Sequence, residues 1–182
     1  GVPAPGSSGS HRGSEAAYRT MSHLGKAMGL VTALRGAPFH RALQQTYLPR
    51  DLMRDHGASV TAFLRGARTP EEASALGGVI YDLAHVARAH LGHAAARRKE
   101  ALPLLLGGPE GAAAAAAAVD ALALPAVGAR RYLGALEGCG YNVFDESLLE
   151  LSNQKLDLQW RILKASLWGS PLGKEDMVKK II

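Results

Sequence analysis

The stretch "GKAMGLVTALRGAPFH", residues 25–40, has a helical pattern with two contrasting faces. One stripe, at spacings of three and four residues, is an ordinary apolar series: Met21, Leu24, Met28, Val31 and Leu34. The opposite stripe is made almost entirely of small side chains: Gly25, Gly29, Thr32, Gly36 and His40. Glycine in a helix interior costs about 1 kcal/mol relative to alanine. A helix with one face emptied to glycine therefore needs a reason beyond helix formation.

Size and composition set the fold class. The chain has 182 residues, which suits one domain with a tail. Its hydrophobic content is 47%, largely alanine and leucine, whereas aromatic residues make up 5%. This mixture favours helices that pack closely through small side chains, and no alternating strand pattern is found. We therefore predict an all-α helical bundle.

Charge and cysteine content restrict the function. The net charge of +5 suits a mitochondrial matrix protein or one with acidic partners, and it is a weak signal for nucleic-acid binding. A single cysteine, Cys139, allows no intrachain disulfide and no thiolate zinc site. No run of 18 apolar residues occurs, so we predict no transmembrane segment.

The chain divides by composition into a lead-in, a domain and a tail. Residues 1–14 are rich in glycine, serine and proline and predict a flexible lead-in. Residues 15–169 form the predicted helical domain, with an alanine-rich insertion near 107–124, and residues 170–182 form an irregular tail.

Start and stop signals mark the helices of the domain. We predict an opening helix from Glu15 to about Arg35, ended near Pro38 because proline disfavours helix before it. Four later helices follow from their end signals: a short helix ended by Gly57, another from a Ser59 cap to Arg65, a long one from a Thr69–Glu72 capping box to about Arg98, and one from Pro125 to Gly138 or Gly140. A last helix from about Leu148 to Trp168 is predicted from an apolar stripe: Leu156, Trp160, Leu163, Leu167 and Trp168.

Polar residues on the long helix suggest two kinds of site. Asp82, His85, His90 and His93 invite a metal interpretation, but the five-residue step from His85 to His90 turns them to different faces. We expect a solvated or partner-facing edge there, with no metal and no cofactor. Basic residues at helix ends are candidate interaction residues, and solvated helix ends are the alternative: Arg97, Arg98, Lys99, Arg130 and Arg131, together with Arg35.

Motifs in sequence order resemble the squalene and phytoene synthases. Active members have a helix of the form L-G-x-A-x-Q-x-T-N-I-L-R-D-V-x-E-D, followed by Y-L-P and an acidic residue. The matching positions here are Leu24, Gly25, Ala27, Leu34, Arg35, Tyr47, Leu48, Pro49 and Asp51. Further stretches, "YLPRDLMRDHG", "FLRG", "VIYDLAHVARAHLGHA" and "NVFDESLLE", are similar to a mitochondrial branch of that superfamily. The resemblance implies the all-α fold of the C-terminal half of a trans-isoprenyl diphosphate synthase.

The departures from the family pattern imply a loss of catalysis. Active enzymes hold Mg²⁺ on two aspartate-rich motifs, and the ion neutralises a diphosphate leaving group. The aspartates of the second motif align with Gly36 and His40, and neighbouring polar positions with Gly29 and Thr32. The first motif belongs to an N-terminal half for which there is no room before residue 18. We therefore expect no catalytic residues, and we interpret the glycine stripe as a degenerate former active-site face.

The mitochondrial branch implies a role in the assembly of respiratory complex I, in the matrix or on the matrix face of the inner membrane. We expect partners among other mitochondrial proteins, including a separate N-terminal half, with peripheral membrane association. A permanent subunit of the mitochondrial ribosome, where it would contact rRNA, or of a respiratory complex is the main alternative. An active prenyl-diphosphate transferase and an isoprenoid- or lipid-binding protein are the remaining ones.

Overall fold

The structure is a computed structural model. It describes the backbone of residues 7–105, 120–153, 159 and 161–165, and the side chains of residues 15–98, 120–151, 159 and 161–165. Six helices are defined in this part of the chain: α1 (Ser7–Ala42), α2 (Arg50–Asp55), α3 (Val60–Arg65), α4 (Pro70–Leu105), α5 (Pro125–Gly138) and α6 (Glu146–Asn153). Residues 120–123 and 161–165 are helical as well, and the described residues include no strand. The all-α prediction is confirmed.

Helix α1 is longer than the sequence predicted. It begins at Ser7, so residues 7–14 of the predicted lead-in are helical, and it ends at Ala42 with Pro38 inside it. The predicted end at Arg35 was wrong. Proline in a helix interior costs about 3 kcal/mol, but here packing continues past it. Ala37 is buried beside the proline, and the Nε–H of Arg41 donates to the carbonyl of Leu64 at 3.2 Å. At the other end, each added residue extends an existing helix without a new nucleation step.

Three of the helices end in the same hydrogen-bonded turn, the Schellman motif. After α2 the N–H of Ala58 donates to the carbonyl of Met53, and after α5 the N–H of Tyr141 donates to Leu136. In both turns the first residue after the helix cap is a left-handed glycine, Gly57 at φ 66° and Gly140 at φ 59°, and Tyr141, which follows Gly140, is left-handed as well at φ 63°. After α1 the equivalent bond joins Gln45 to the carbonyl of His40. The left-handed residue there is Gln44 at φ 56°, so this turn lacks the usual glycine signal.

The predicted helix starts agree well with the structure. The Ser59 hydroxyl accepts from the N–H of Ala62 at 3.0 Å, and the Thr69 hydroxyl accepts from the N–H of Glu72 at 3.2 Å. The Glu72 carboxylate accepts from the N–H of Arg68 at 2.8 Å, which lowers the pKa of Glu72. Helix α4 extends to Leu105, beyond its predicted end at Arg98. Helix α5 begins at Pro125 and ends at Gly138, as predicted.

The chain forms two compact units, each with contributions from separate segments. The first unit comprises Gly1–Lys26, Ala89–Gly128 and Leu156–Ile182, so far as these are described. Its core is small in side-chain volume: Ala16, Thr20, Leu24, Leu91, Ala94, Ala123 and Ala126. The buried Thr20 hydroxyl donates to the carbonyl of Ala16 at 2.8 Å, which satisfies it within the helix.

The second unit comprises Ala27–Arg88 and Ala129–Lys155 and has the larger core. Its largest fully buried side chains are Phe63, Leu34, Leu133, Leu136, Val31 and Val79. Of the apolar stripe predicted on α1, Val31 and Leu34 are buried in this unit and Leu24 in the first, whereas Met21 and Met28 are half-buried. Most of the alanine-rich segment and residues 170–182 lie outside the described residues, as do Leu156, Trp160, Leu167 and Trp168 of the predicted last helix.

Candidate interaction surface

The small-residue stripe of α1 faces outward. We define the glycine face as the four positions of the second unit that the sequence singled out: Gly29, Thr32, Gly36 and His40. Gly29 and Thr32 are exposed, and a Cβ added at Gly29 would meet no atom within 4 Å. In this unit the face is thus an open helix surface at Gly29 and Thr32, whereas Gly36 and His40 are half-buried.

His40 closes the C-terminal end of the glycine face. Its Nε2 lies 3.0 Å from the position of a Cβ added at Gly36, so the ring occupies the space that a larger residue there would need. The ring also meets Tyr47 edge-to-face at 4.3 Å between centroids and Phe39 at 5.6 Å. Its Nδ1 is buried without a hydrogen-bond partner among the described residues. His40 therefore holds a packing position as well as a surface one.

Exposed apolar side chains continue the surface beyond His40. Phe39 is 65% exposed, Leu43 53% and Tyr47 67%. All three lie in the short segment that follows Gly36. A single exposed apolar residue would need no explanation, but three close together in the chain do. A cluster of large apolar side chains next to an open glycine stripe is typical of an interaction surface. The sequence pattern pointed to the glycines, but it did not identify Phe39 and Leu43.

Arg35 contacts an aromatic ring of its own unit. Its guanidinium carbon is 5.9 Å from the centre of the Tyr132 ring, within the range of a cation–π contact. Burial raises the pKa of Tyr132 to about 12, so its phenol stays protonated at physiological pH. Arg35 thus lies over an aromatic residue in the core of its own unit, although Arg35 itself is exposed.

The basic residues predicted as interaction candidates have different surroundings. Arg98 donates to both carboxylate oxygens of Asp120, through Nε at 2.7 Å and Nη2 at 2.6 Å. Arg131 donates to the carbonyl of Leu151 at 3.5 Å. The side chain of Lys99 lies outside the described residues. Arg97 and Arg130 also have partners within the protein, so a role of any of these five in binding remains a prediction.

The histidines of α4 do not act as one group. Asp82 pairs with His56, whose Nε2 lies 2.7 Å from its Oδ2. His90 instead meets His23 of α1, with 2.9 Å between the two Nδ1 atoms, so one nitrogen donates and the other accepts. The His93 ring centre is 5.1 Å from that of His23. His23 was not among the predicted site residues, because nothing in the sequence links residues 67 positions apart.

Burial and nearby positive charge act on the histidine pair. Desolvation is the largest cause that lowers the pKa of His23, followed by His90, His93, Lys26 and Arg97. The pKa of His90 is lowered by desolvation and by Lys26 and His93. Both rings therefore favour the neutral state, in which the Nδ1–H of one ring donates to the unprotonated Nδ1 of the other. Among the residues that the structure describes, no group of three or more His, Cys, Asp or Glu is arranged to hold a metal ion.

The family of the chain follows from a comparison with known proteins. A sequence model of the family described as squalene/phytoene synthase matches residues 6–159. The chain therefore belongs to the squalene/phytoene synthase family, in agreement with its all-α fold and the motifs of α1. No solved structure matches it.

Individual relatives give a more specific comparison than the family model does. Proteins named NADH dehydrogenase (ubiquinone) complex I, assembly factor 6, from mouse and from human are each 42% identical to the chain over 73 residues. Each match covers 40% of this chain and 21% of the relative. A homologue from Dictyostelium discoideum is 39% identical over 70 residues, which cover 38% of this chain and 19% of that protein. The similarity thus spans about a fifth of each of these relatives.

The described residues also bear on membrane association. None of their helices combines the length and the apolar character that crossing a membrane requires.

Proposed function

We propose that this chain is a non-catalytic member of the squalene/phytoene synthase family that acts in the mitochondrion in the assembly of respiratory complex I. The observation that carries the proposal is the 42% identity over 73 residues to proteins named complex I assembly factor 6. We further propose that the protein works as a scaffold, on the matrix side of the inner membrane, by presenting the glycine face and the apolar residues beside it to another protein.

The chemistry of the glycine face supports a binding role. Ionisation of a prenyl diphosphate needs carboxylates that hold Mg²⁺ against the phosphates. The four positions of the face carry two glycines, a threonine and a histidine, and none of these side chains is an anionic oxygen ligand. An open helix with small side chains instead permits close approach of a second helix, because no Cβ separates the two backbones at a glycine.

A pair of matched variants tests the binding role. Gly29 and Gly134 are both exposed helical glycines of the second unit, and an added Cβ meets no atom within 4 Å at either. Both Gly29→Glu and Gly134→Glu should therefore fold. In cells that lack the protein, we expect Gly134→Glu to restore complex I on native gels and Gly29→Glu to fail. Equal rescue by the two variants would contradict a partner on this face.

Two further measurements separate the alternatives. A scaffold that serves assembly should leave mature complexes in a high-salt wash, whereas a permanent subunit of the mitochondrial ribosome or a respiratory complex should stay in stoichiometric amount. Purified chain incubated with Mg²⁺ and farnesyl or geranylgeranyl diphosphate should show no turnover. Turnover above a buffer control would overturn the non-catalytic assignment.

A further inference from the structure

The second unit contains a cavity of about 600 Å³ whose lining does not include the glycine face. Ligand sites in proteins typically measure about 300–1,000 Å³ and are mainly apolar, with a few polar groups that orient the ligand. The apolar lining here includes Phe63, Leu76, Ile80 and Val143, all buried. The cavity therefore has the size of a ligand site, and its walls are partly apolar and partly polar.

One cation, Arg41, lines this cavity. The Nε–H of its half-buried side chain donates to the carbonyl of Leu64, and its guanidinium carbon lies 4.7 Å from the centre of the Phe144 ring. Within the part of the chain that the structure describes, its Nη1 and Nη2 groups have no hydrogen-bond acceptor and Arg41 forms no ion pair. The lining residues include no Asp or Glu. The guanidinium therefore keeps donors and a positive charge for a group that enters the cavity.

The backbone is shaped around this guanidinium. Gly66, at φ 95°, places its backbone so near that an added Cβ would lie 2.7 Å from Nη2 of Arg41. A side chain at this position would displace the guanidinium from the cavity wall. The absence of a Cβ at Gly66 leaves room for the guanidinium, which lies against the ring of Phe144.

A second polar residue, the exposed Asn142, lines the cavity. The Oδ1 of Asn142 accepts from the N–H of Phe144 at 3.1 Å, which fixes the orientation of the amide and leaves its NH₂ group as a donor. A carboxylate offers two oxygens and one negative charge, which matches one guanidinium fork and one amide donor. A diphosphate would bring more charge than a single cation can neutralise.

From these contacts we propose that the cavity binds an aliphatic carboxylate, with the carboxylate on Arg41 and Asn142 and the chain against Phe63, Leu76 and Ile80. This site is separate from the proposed partner surface, because none of the residues that line the cavity belongs to the glycine face. The binding involves no covalent step.

Titration calorimetry on the full chain tests the proposal, with dodecanoate kept below its micelle concentration. We expect saturable binding of one dodecanoate per chain. Acetate, which has the carboxylate alone, should show no measurable heat, and dodecyltrimethylammonium, which has the opposite charge, should bind at least about tenfold more weakly. No saturable dodecanoate binding, or equal binding of the cationic analogue, would overturn the proposal.

Variants then assign the binding to this cavity. Arg41→Gln should raise the Kd at least about tenfold, because a charge-assisted hydrogen bond is lost. Gly77→Leu should do the same by filling the cavity, since its Cβ would meet only the Gly140 carbonyl at 3.9 Å. Arg54→Gln is the matched control: this arginine of the same unit is 74% exposed, pairs with Asp51 and should leave the Kd within twofold.

Only a variant that folds can be used to assign the site. Circular dichroism and the Tm establish that each variant is folded, and Arg41→Gln alone decides the matter if Gly77→Leu does not fold. An unchanged Kd for a folded Arg41→Gln variant would overturn the assignment of Arg41.

Discussion

The Nε2 of His40 lies 3.0 Å from the place that a Cβ on Gly36 would occupy, one helical turn away on α1. The two residues therefore fit together as a small residue and a covering ring. Gly29, by contrast, would accept a Cβ with no atom within 4 Å. Gly29 and Gly36 look equivalent in the sequence, but the missing side chain leaves open space at Gly29 and makes room for the His40 ring at Gly36.

This difference gives a prediction on stability. Gly29→Ala should stabilise the isolated chain by about 0.5–1 kcal/mol, because alanine loses less backbone entropy in a helix. Gly36→Ala should gain at least about 0.5 kcal/mol less, since the His40 ring must move to admit the Cβ. Urea unfolding monitored by circular dichroism measures both. In a His40→Ala background the two gains should become equal, and equal gains already in the unmodified chain would contradict the contact.

The left-handed Gln44 at the end of α1 gives a second prediction. A left-handed conformation costs roughly 1 kcal/mol or more for a residue with a Cβ and nothing comparable for glycine. Gln44→Gly should therefore stabilise the chain by about 0.5–1 kcal/mol despite the greater freedom of glycine in the unfolded state. Gln45→Gly, one residue beyond, provides the control and should not stabilise. The midpoint of urea unfolding distinguishes the two, and a lower midpoint for Gln44→Gly would contradict the Schellman geometry.

The His23–His90 pair predicts how stability depends on pH. The pKa of each is lowered from its ordinary value of 6.5, mainly by burial and then by neighbouring positive groups. Between that value and the lowered pKa, the unfolded chain binds more protons than the folded one. The stabilising contribution of the neutral pair is therefore present above pH 6.5 and is lost as the pH falls through the lowered pKa.

Urea unfolding at about pH 7.5 and about pH 5.5 measures this contribution. His23→Gln should reduce the loss of stability between the two pH values. His85→Gln should leave it unchanged, because His85 is exposed and stacks on Tyr81 in the other unit. A His23→Gln variant with the full pH dependence would show that the pair does not titrate as described.

The paired hydrogen bonds from Arg98 to Asp120 give a fourth prediction. The Arg98 side chain is 14% exposed and that of Asp120 30%, so the pair is partly screened by water. Arg98→Ala should destabilise the chain by about 1.5–3 kcal/mol, the range for hydrogen bonds to a charged group. A double-mutant cycle with Asp120→Asn isolates the coupling between them. A coupling near zero would mean that the pair contributes nothing to stability.

Local signals in the sequence predicted much of the fold. Ser59 and Thr69 mark helix starts through side-chain oxygens that accept from the N–H group three residues ahead, and Gly57 and Gly140 mark ends through a left-handed backbone. These signals succeed because donor, acceptor and backbone conformation lie within a few residues. The end of α1 lacked such a signal: Pro38 indicated a stop, and Gln44 does not resemble a C-cap.

The candidate sites divide in the same way. The spacing of Gly29, Thr32 and Gly36 placed them on one face of a helix, because helical periodicity is a property of the sequence. Periodicity cannot say which face remains open, what lies on His40, or that His23 would meet His90. The cavity is lined by residues taken from several segments between Arg41 and Phe144, so no local sequence pattern indicates it.

The sequence by itself determined that the fold is all-α, where most helices begin and which side of α1 is small, since these properties depend on neighbours along the chain. Tertiary structure decided that α1 continues past Pro38, that His23 pairs with His90 and that Arg41 lines a cavity. Each of these depends on groups brought together from distant parts of the chain, whose packing outweighs the local preference of any one residue.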